Sequence, residues 1–257
     1  MTGTLTSDRK RAFGPWLLLS ALALTLFRIA ATSFDMGSPE QNALLIYIFS
    51  DSVVPVMTLA PLAAAVPFAS GFANDWRSGV AVPMLIRSGR DRFLRSKEVG
   101  CAVSGGLTLA LSAAMYILFV NLWFSSDYSG YEDVIAAFSY WDFSGGFTAF
   151  ALTGYYAVSV ALQFLGGMFY ASCALAFSAF VPNVSLTLCV PLVLYRLFEE
   201  LADTLPAFVS PYQLQAGTSG LGAAGSLVWA AAVFLPGTML ALKVFRLRAG
   251  RRLEEES

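Results

Sequence analysis

The sequence predicts an all-α polytopic membrane protein with six transmembrane helices, on three observations. Only 13% of its 257 residues are charged while 57% are hydrophobic, whereas a soluble domain carries about a quarter charged residues. Apolar runs of about 18 or more residues recur, each long enough to cross roughly 30 Å of hydrocarbon as a helix. Most arginines gather in two segments, while the loop 125–146 holds only acidic charges, the kind of segregation that loops of a multi-pass protein show.

The spans follow in order. Arg9, Lys10 and Arg11 precede an apolar run over about 13–34 that is broken only by Arg28. This start has the build of a signal peptide, but Arg28 lies just before the small residues Ala30 and Ala31, and the run is expected to stay as a first span. Ser38-Pro39 suits a helix start. The second span covers about 43–69 and carries Asp51 with Pro55, Pro61 and Pro67, prolines that bend a lipid-spanning helix when its neighbours re-satisfy the freed carbonyls. A third span covers about 100–124.

After an acidic loop, the apolar stretch from Phe147 to Val181 is too long for one straight crossing. The expectation is a fourth span at about 154–180, preceded by a helical segment lying in the interface. Val181-Pro182-Asn183 is the turn before a fifth span at about 184–201, and a sixth covers about 221–244. The whole chain, 1–257, is expected to form a single transmembrane domain.

Charge placement sets the expected orientation. Arg77, Arg87, Arg90, Arg92, Arg95 and Lys97 lie between the second and third spans, and Arg246, Arg248, Arg251 and Arg252 follow the sixth. The loop 125–146 holds Asp127, Glu132, Asp133 and Asp142 with no basic residue. Under the positive-inside rule both termini and the basic segment are cytoplasmic, in a bacterial-type cell membrane.

Composition also excludes chemistry. There is no histidine, which removes His-ligated haem, most catalytic zinc sites and the histidine triads. The three lysines Lys10, Lys97 and Lys243 do not follow glycine, so the chain has no phosphate-binding P-loop and hydrolyses no nucleotide through one. Cys101, Cys173 and Cys189 have no metal-ligand spacing and suit small buried hydrophobes. No basic stripe with interleaved aromatics points to nucleic acid. The chain is expected to be neither an enzyme nor a holder of a cofactor.

The segment 72–97 carries the most information, because joining two spans needs only a few residues. Trp76, Val80 and Met84 recur at i+4 beside Leu85 and Ile86, which predicts a short helix with an apolar face and Arg77 and Arg87 in the headgroup layer. A second helical stretch, Arg90 to Lys97, leads into the third span. Two readings stay open on composition: basic decoration of an interfacial helix, or a docking element for a cytoplasmic partner.

Phe72, Asp75, Gly79, Arg87, Arg90 and Lys97 stand in an order that resembles the permease subunits of ABC transporters of the type-2 exporter class. Ser178, Asn183, Pro191 and Tyr195 resemble that family's junction between the fourth and fifth spans. Asp75 departs from the glutamate common there, and the short outer loops resemble permeases without a large extracellular domain. The resemblance implies a dimer of two copies, or of this chain with a related permease, each docking a separate P-loop ATPase subunit that binds the ATP. It makes 72–97 the coupling segment, with Asp75, Trp76, Arg77, Gly79, Met84, Arg87 and Arg90 as the coupling residues.

Charges at bilayer depth cost at least ~2.5 kcal/mol, so Arg28, Asp51, Arg196 and Glu199 each ask for a partner or a role. Arg28 and Asp51 fall in the outward halves of adjacent spans, where a pair would be either a helix–helix clamp or a polar patch in a translocation path. Arg196 with Glu199 and Glu200 has i,i+3 and i,i+4 spacing, a self-neutralised snorkelling helix end. Gly100 with Ser104, and Gly167 with Ala171, allow close helix approach within the chain or to a second copy. Gly217-Thr218-Ser219-Gly220 and Glu199-Glu200 mimic intramembrane protease motifs that require a histidine this chain lacks. An ion-gradient-driven carrier using Asp51, Arg28 or Glu199, and a membrane-embedded assembly or peptide-immunity factor, are the alternative functions.

Overall fold

The computed structural model describes residues 8, 10–35, 42–50, 54–125, 127–128, 130, 135, 141, 143, 146–202, 204 and 221–255. Within them the chain is helical throughout: α1 (Pro15–Asp35), α2 (Ala43–Ser50), α3 (Val54–Ala65), α4 (Gly71–Arg77), α5 (Ala81–Ser88), α6 (Arg90–Trp123), α7 (Ala149–Ser178), α8 (Val184–Ala202) and α9 (Gly222–Glu255). Four helical stretches are long and apolar enough to cross a membrane: Lys10–Thr32, Arg90–Trp123, Ala149–Ser178 and Gly222–Arg252.

The other two apolar runs are helical but differ in build. The run expected at 43–69 is divided into α2 and α3, each too short to span alone, and Asp51 lies outside the described residues. The helix ends at Ala65, just before Pro67, which lacks an amide donor and disfavours helical backbone at Val66. α8 is a single 19-residue helix with Pro191 inside it and Arg196, Glu199 and Glu200 near its end.

α7 is the central helix, packed against α6, α9, α8 and α3. Its closest seam is with α6, where glycine is required by contact. A Cβ on Gly105 would lie 2.8 Å from the Gly167 carbonyl oxygen, and one on Gly167 would lie 2.5 Å from the Gly105 oxygen. Small residues at such a seam let the two backbones approach closely, the contact that packs apolar helices together. The Cys101 thiol donates to the Ala171 carbonyl at 3.2 Å along the same seam. Gly167 and Ala171 thus serve packing within the chain, while Gly100 faces Phe68 and Ala12.

The apolar core divides between the two ends. At one end Phe68, Phe72, Phe93, Leu175 and Phe245 pack together from α4, α6, α7, α9 and the turn after α3. At the other, Leu44, Tyr47, Tyr116, Tyr155 and Phe234 do so. Thr148 caps α7 by accepting from the Ala151 amide, and Asn42 caps α2 by accepting from Leu44 and Leu45.

Two expectations about local structure are corrected. The apolar stretch from Phe147 holds no separate interfacial helix at its start, because residues from Ala149 already belong to α7. Trp76, Val80 and Met84 do not share one helix: the chain turns at Ser78–Gly79, and Gly79 adopts φ +69°, a left-handed conformation open to glycine at little cost. A second positive φ, +78° at Gly89, separates α5 from α6. The i+4 pattern therefore crosses a corner.

Candidate functional site

The first of the two core clusters is also where the arginines collect. Phe68, Phe72 and Trp76 carry the chain from α3 into α4, and Ala81, Met84 and Leu85 hold α5 on the same core. The resulting α4–α5 corner leaves Arg77, Val80, Arg87 and Ile86 facing outward, with Ile86 78% exposed. Packing fixes one side of α5 and leaves a mixed basic and apolar surface on the other.

The corner is fastened by buried charge. Lys97, with no exposed surface, donates to Asp8 Oδ1 at 2.7 Å and also to Asp75 Oδ2. Arg11 Nη1 donates to Asp75 Oδ1 at 2.8 Å, and Ser96 Oγ donates to Asp8 Oδ2 at 2.7 Å. The Lys97 ammonium further lies 5.3 Å and 5.4 Å from the ring centres of Phe68 and Phe93. Three separate segments (residues 8–11, α4 and α6) thus meet on one ammonium. Buried charge is tolerated where its partners are so complete.

Asp75 is therefore not an outward-facing docking group. Its carboxylate is buried against Lys97 and Arg11, so it positions the corner from within. Trp76 is half-buried, packs on Phe72, and carries the Arg252 guanidinium 5.3 Å from its ring centre. Met84 faces the core. Arg90 lies across α9, where a Cβ on Gly250 would fall 2.2 Å from its Nη2. Among the expected coupling residues, Arg77, Gly79, Arg87 and Arg90 are exposed.

The carboxy-terminal end of α9 belongs to the same assembly. Arg246 Nε donates to Glu98 Oε1 at 2.9 Å, and its Nη2 to Glu98 Oε2, a two-pronged pair. Phe245 meets Phe72 edge-to-face at 5.2 Å, and Arg248 lies 4.8 Å from the ring centre of Phe180 in the turn after α7.

Asp8, Arg11, Glu98 and Arg246 are participants that sequence reasoning missed. Only one signal bore on them: Lys97 and Glu98 are adjacent at the start of a span, so a helix points them at two different neighbours, each of opposite charge.

The polar residues expected at bilayer depth lie apart from this cluster. Arg28 is fully buried in α1, its guanidinium 5.9 Å from the ring centre of Tyr116. Tyr116 donates to Thr32 Oγ1 at 3.1 Å, and Tyr47 and Ser159 share a 2.5 Å hydrogen bond. The pairing of Arg28 with Asp51 falls outside the described residues. Arg196 donates to Glu199 at 2.6 Å, the i,i+3 pair its spacing predicts. The stretch Gly217–Gly220 also lies outside the described residues.

The three cysteines are free thiols, and no group of metal-ligating side chains occurs among the described residues. The chain matches no family model, and no curated protein is similar to it.

Proposed function

We propose that the chain is the membrane-spanning permease subunit of an ABC-type exporter, coupling a translocation pathway to a separate ATPase subunit. The observation that carries this reading is the α4–α5 corner. It is a projection of two short helices between α3 and α6, clamped by a buried ion cluster, with Arg77, Val80, Ile86 and Arg87 turned outward. A rigid element with an exposed basic and apolar face suits the transfer of partner movement into the helix it is bolted to, here α6. In this reading all six apolar runs cross the membrane, α2 and α3 together forming the second crossing and α8 the fifth. Both termini and the corner are then cytoplasmic, as the arginine distribution favours. Two copies, or this chain with a related permease, form the complex in a bacterial-type cell membrane.

The test is purification of the tagged chain in mild detergent from its native host, with mass identification of what accompanies it. Recovery of a P-loop ATPase that is lost with Arg87→Glu supports the reading. A chain that purifies alone in several detergents overturns it.

One observation favours a second reading, a gradient-driven carrier: Arg28 is a fully buried cation inside the apolar part of α1, and intramembrane charges mark ion pathways. Transport that persists in energised, ATP-depleted vesicles and is lost with Asp51→Asn would select it.

A further inference from the structure

Beside the ion cluster lies a cleft of about 830 Å³ between residues 8–13 and the start of α6. We infer that it is a binding site for the phosphodiester headgroup of an anionic lipid.

Beyond its first two residues, Arg90 and Asp91, the wall supplied by α6 is made by Arg92, Arg95, Ser96, Val99 and Gly100. These positions are spaced i, i+3, i+4, i+7 and i+8, so they form one stripe along the helix. The stripe changes character along its length. Arg92 and Arg95 stand at its beginning, Ser96 follows, and Val99 and Gly100 lie about 10 Å further on at 1.5 Å per residue. Ala12 and Phe13 form the facing wall, and Phe13 and Val99 are both exposed hydrophobics. Basic groups above and apolar surface below match a lipid, whose phosphate sits over its acyl chain. A free phosphate has no use for the lower half.

The charge balance supports an anion. Arg92 and Arg95 are exposed and form no ion pair within the described residues. Arg90 adds a third guanidinium to the lining. Of the two carboxylates there, Asp8 is already held by Lys97 and Ser96. That leaves Asp91 beside the two arginines Arg92 and Arg95. Basic pockets between membrane helices on the arginine-rich side take lipid headgroups of this kind.

The experiment uses the full chain in detergent and native mass spectrometry, comparing retention of phosphatidylglycerol with that of phosphatidylcholine of the same acyl chains. The expected result is preferential retention of phosphatidylglycerol. Arg92→Gln with Arg95→Gln should weaken it on the order of 30-fold, at roughly fivefold per juxtamembrane arginine, while Arg196→Gln at the far end of α8 changes nothing. Should the double variant not fold, each single variant should show the fivefold loss. An unchanged lipid preference in the variants overturns the proposal. Displacement of the lipid by excess inorganic phosphate also overturns it, because the site would then serve a soluble anion.

Discussion

The Asp75 carboxylate and the Lys97 ammonium are paired where water does not reach, their side chains 5% and 0% exposed. Asp75 belongs to the short helix α4 and Lys97 to the long helix α6, so a single ion pair ties the exposed corner to a helix long and apolar enough to cross a membrane. Lys97 also holds Asp8, which makes the ammonium the hub and each carboxylate a spoke.

That asymmetry orders a mutant series. Lys97→Met should destabilise the fold by about 3–5 kcal/mol, since it removes the buried cation that two carboxylates share and leaves Asp75 only Arg11 and Asp8 only Ser96. Asp75→Asn should cost less, because Lys97 keeps Asp8, and combining the two substitutions should recover part of the loss. Thermal unfolding of the detergent-purified chain ranks the three; equal losses for the two single variants would mean that the ammonium is not the hub.

Glycine is needed for different reasons at two positions, and alanine separates them. Gly167→Ala places a methyl group 2.5 Å from the Gly105 carbonyl oxygen, which forces α6 and α7 apart, and should lower the unfolding temperature markedly. Gly79→Ala meets no atom within 4 Å and should lose only about 1–2 kcal/mol to its left-handed backbone. A larger loss at Gly79 than at Gly167 would contradict the packing described for the α6–α7 seam.

On the proposed exporter reading, docking of the ATPase should fail when the corner is rebuilt or its charge reversed. Gly79→Pro cannot keep φ +69° and removes the amide that donates to the Trp76 carbonyl at 3.1 Å. Arg87→Glu alters only an exposed charge. Both variants should still insert in the membrane, and both should lose the co-purifying ATPase. Normal recovery with both would remove the corner from the coupling path.

The number of crossings can be settled from two thiols. With Cys101, Cys173 and Cys189 replaced by serine, Asn74→Cys should react with an impermeant maleimide only after permeabilisation, and Thr204→Cys in intact cells. Of the helices between the two positions, α6, α7 and α8 are the crossings of the six-span reading, which places Asn74 and Thr204 on opposite sides. Labelling of both from one side would mean that α8 does not cross.

The sequence by itself determined the helical class, the membrane-compatible character of the long runs and the segregation of arginine, because these depend on local composition and on hydropathy summed over about 20 residues. It located the Val181–Asn183 turn before α8, and it identified 72–97 as too long for a plain connection. Periodicity alone, however, joined Trp76, Val80 and Met84 into one helix, since an i+4 pattern does not reveal a corner made by one glycine with positive φ. Only the tertiary structure decided that Asp75 points inward and that Asp8, 89 residues before Lys97, completes its ion pairs. The same holds for Glu98 and Arg246, 148 residues apart. A buried charge is stable only where distant segments converge on it, and that convergence follows from how Asp8, Arg11, α4, α6 and α9 come together, which no local stretch of the chain encodes.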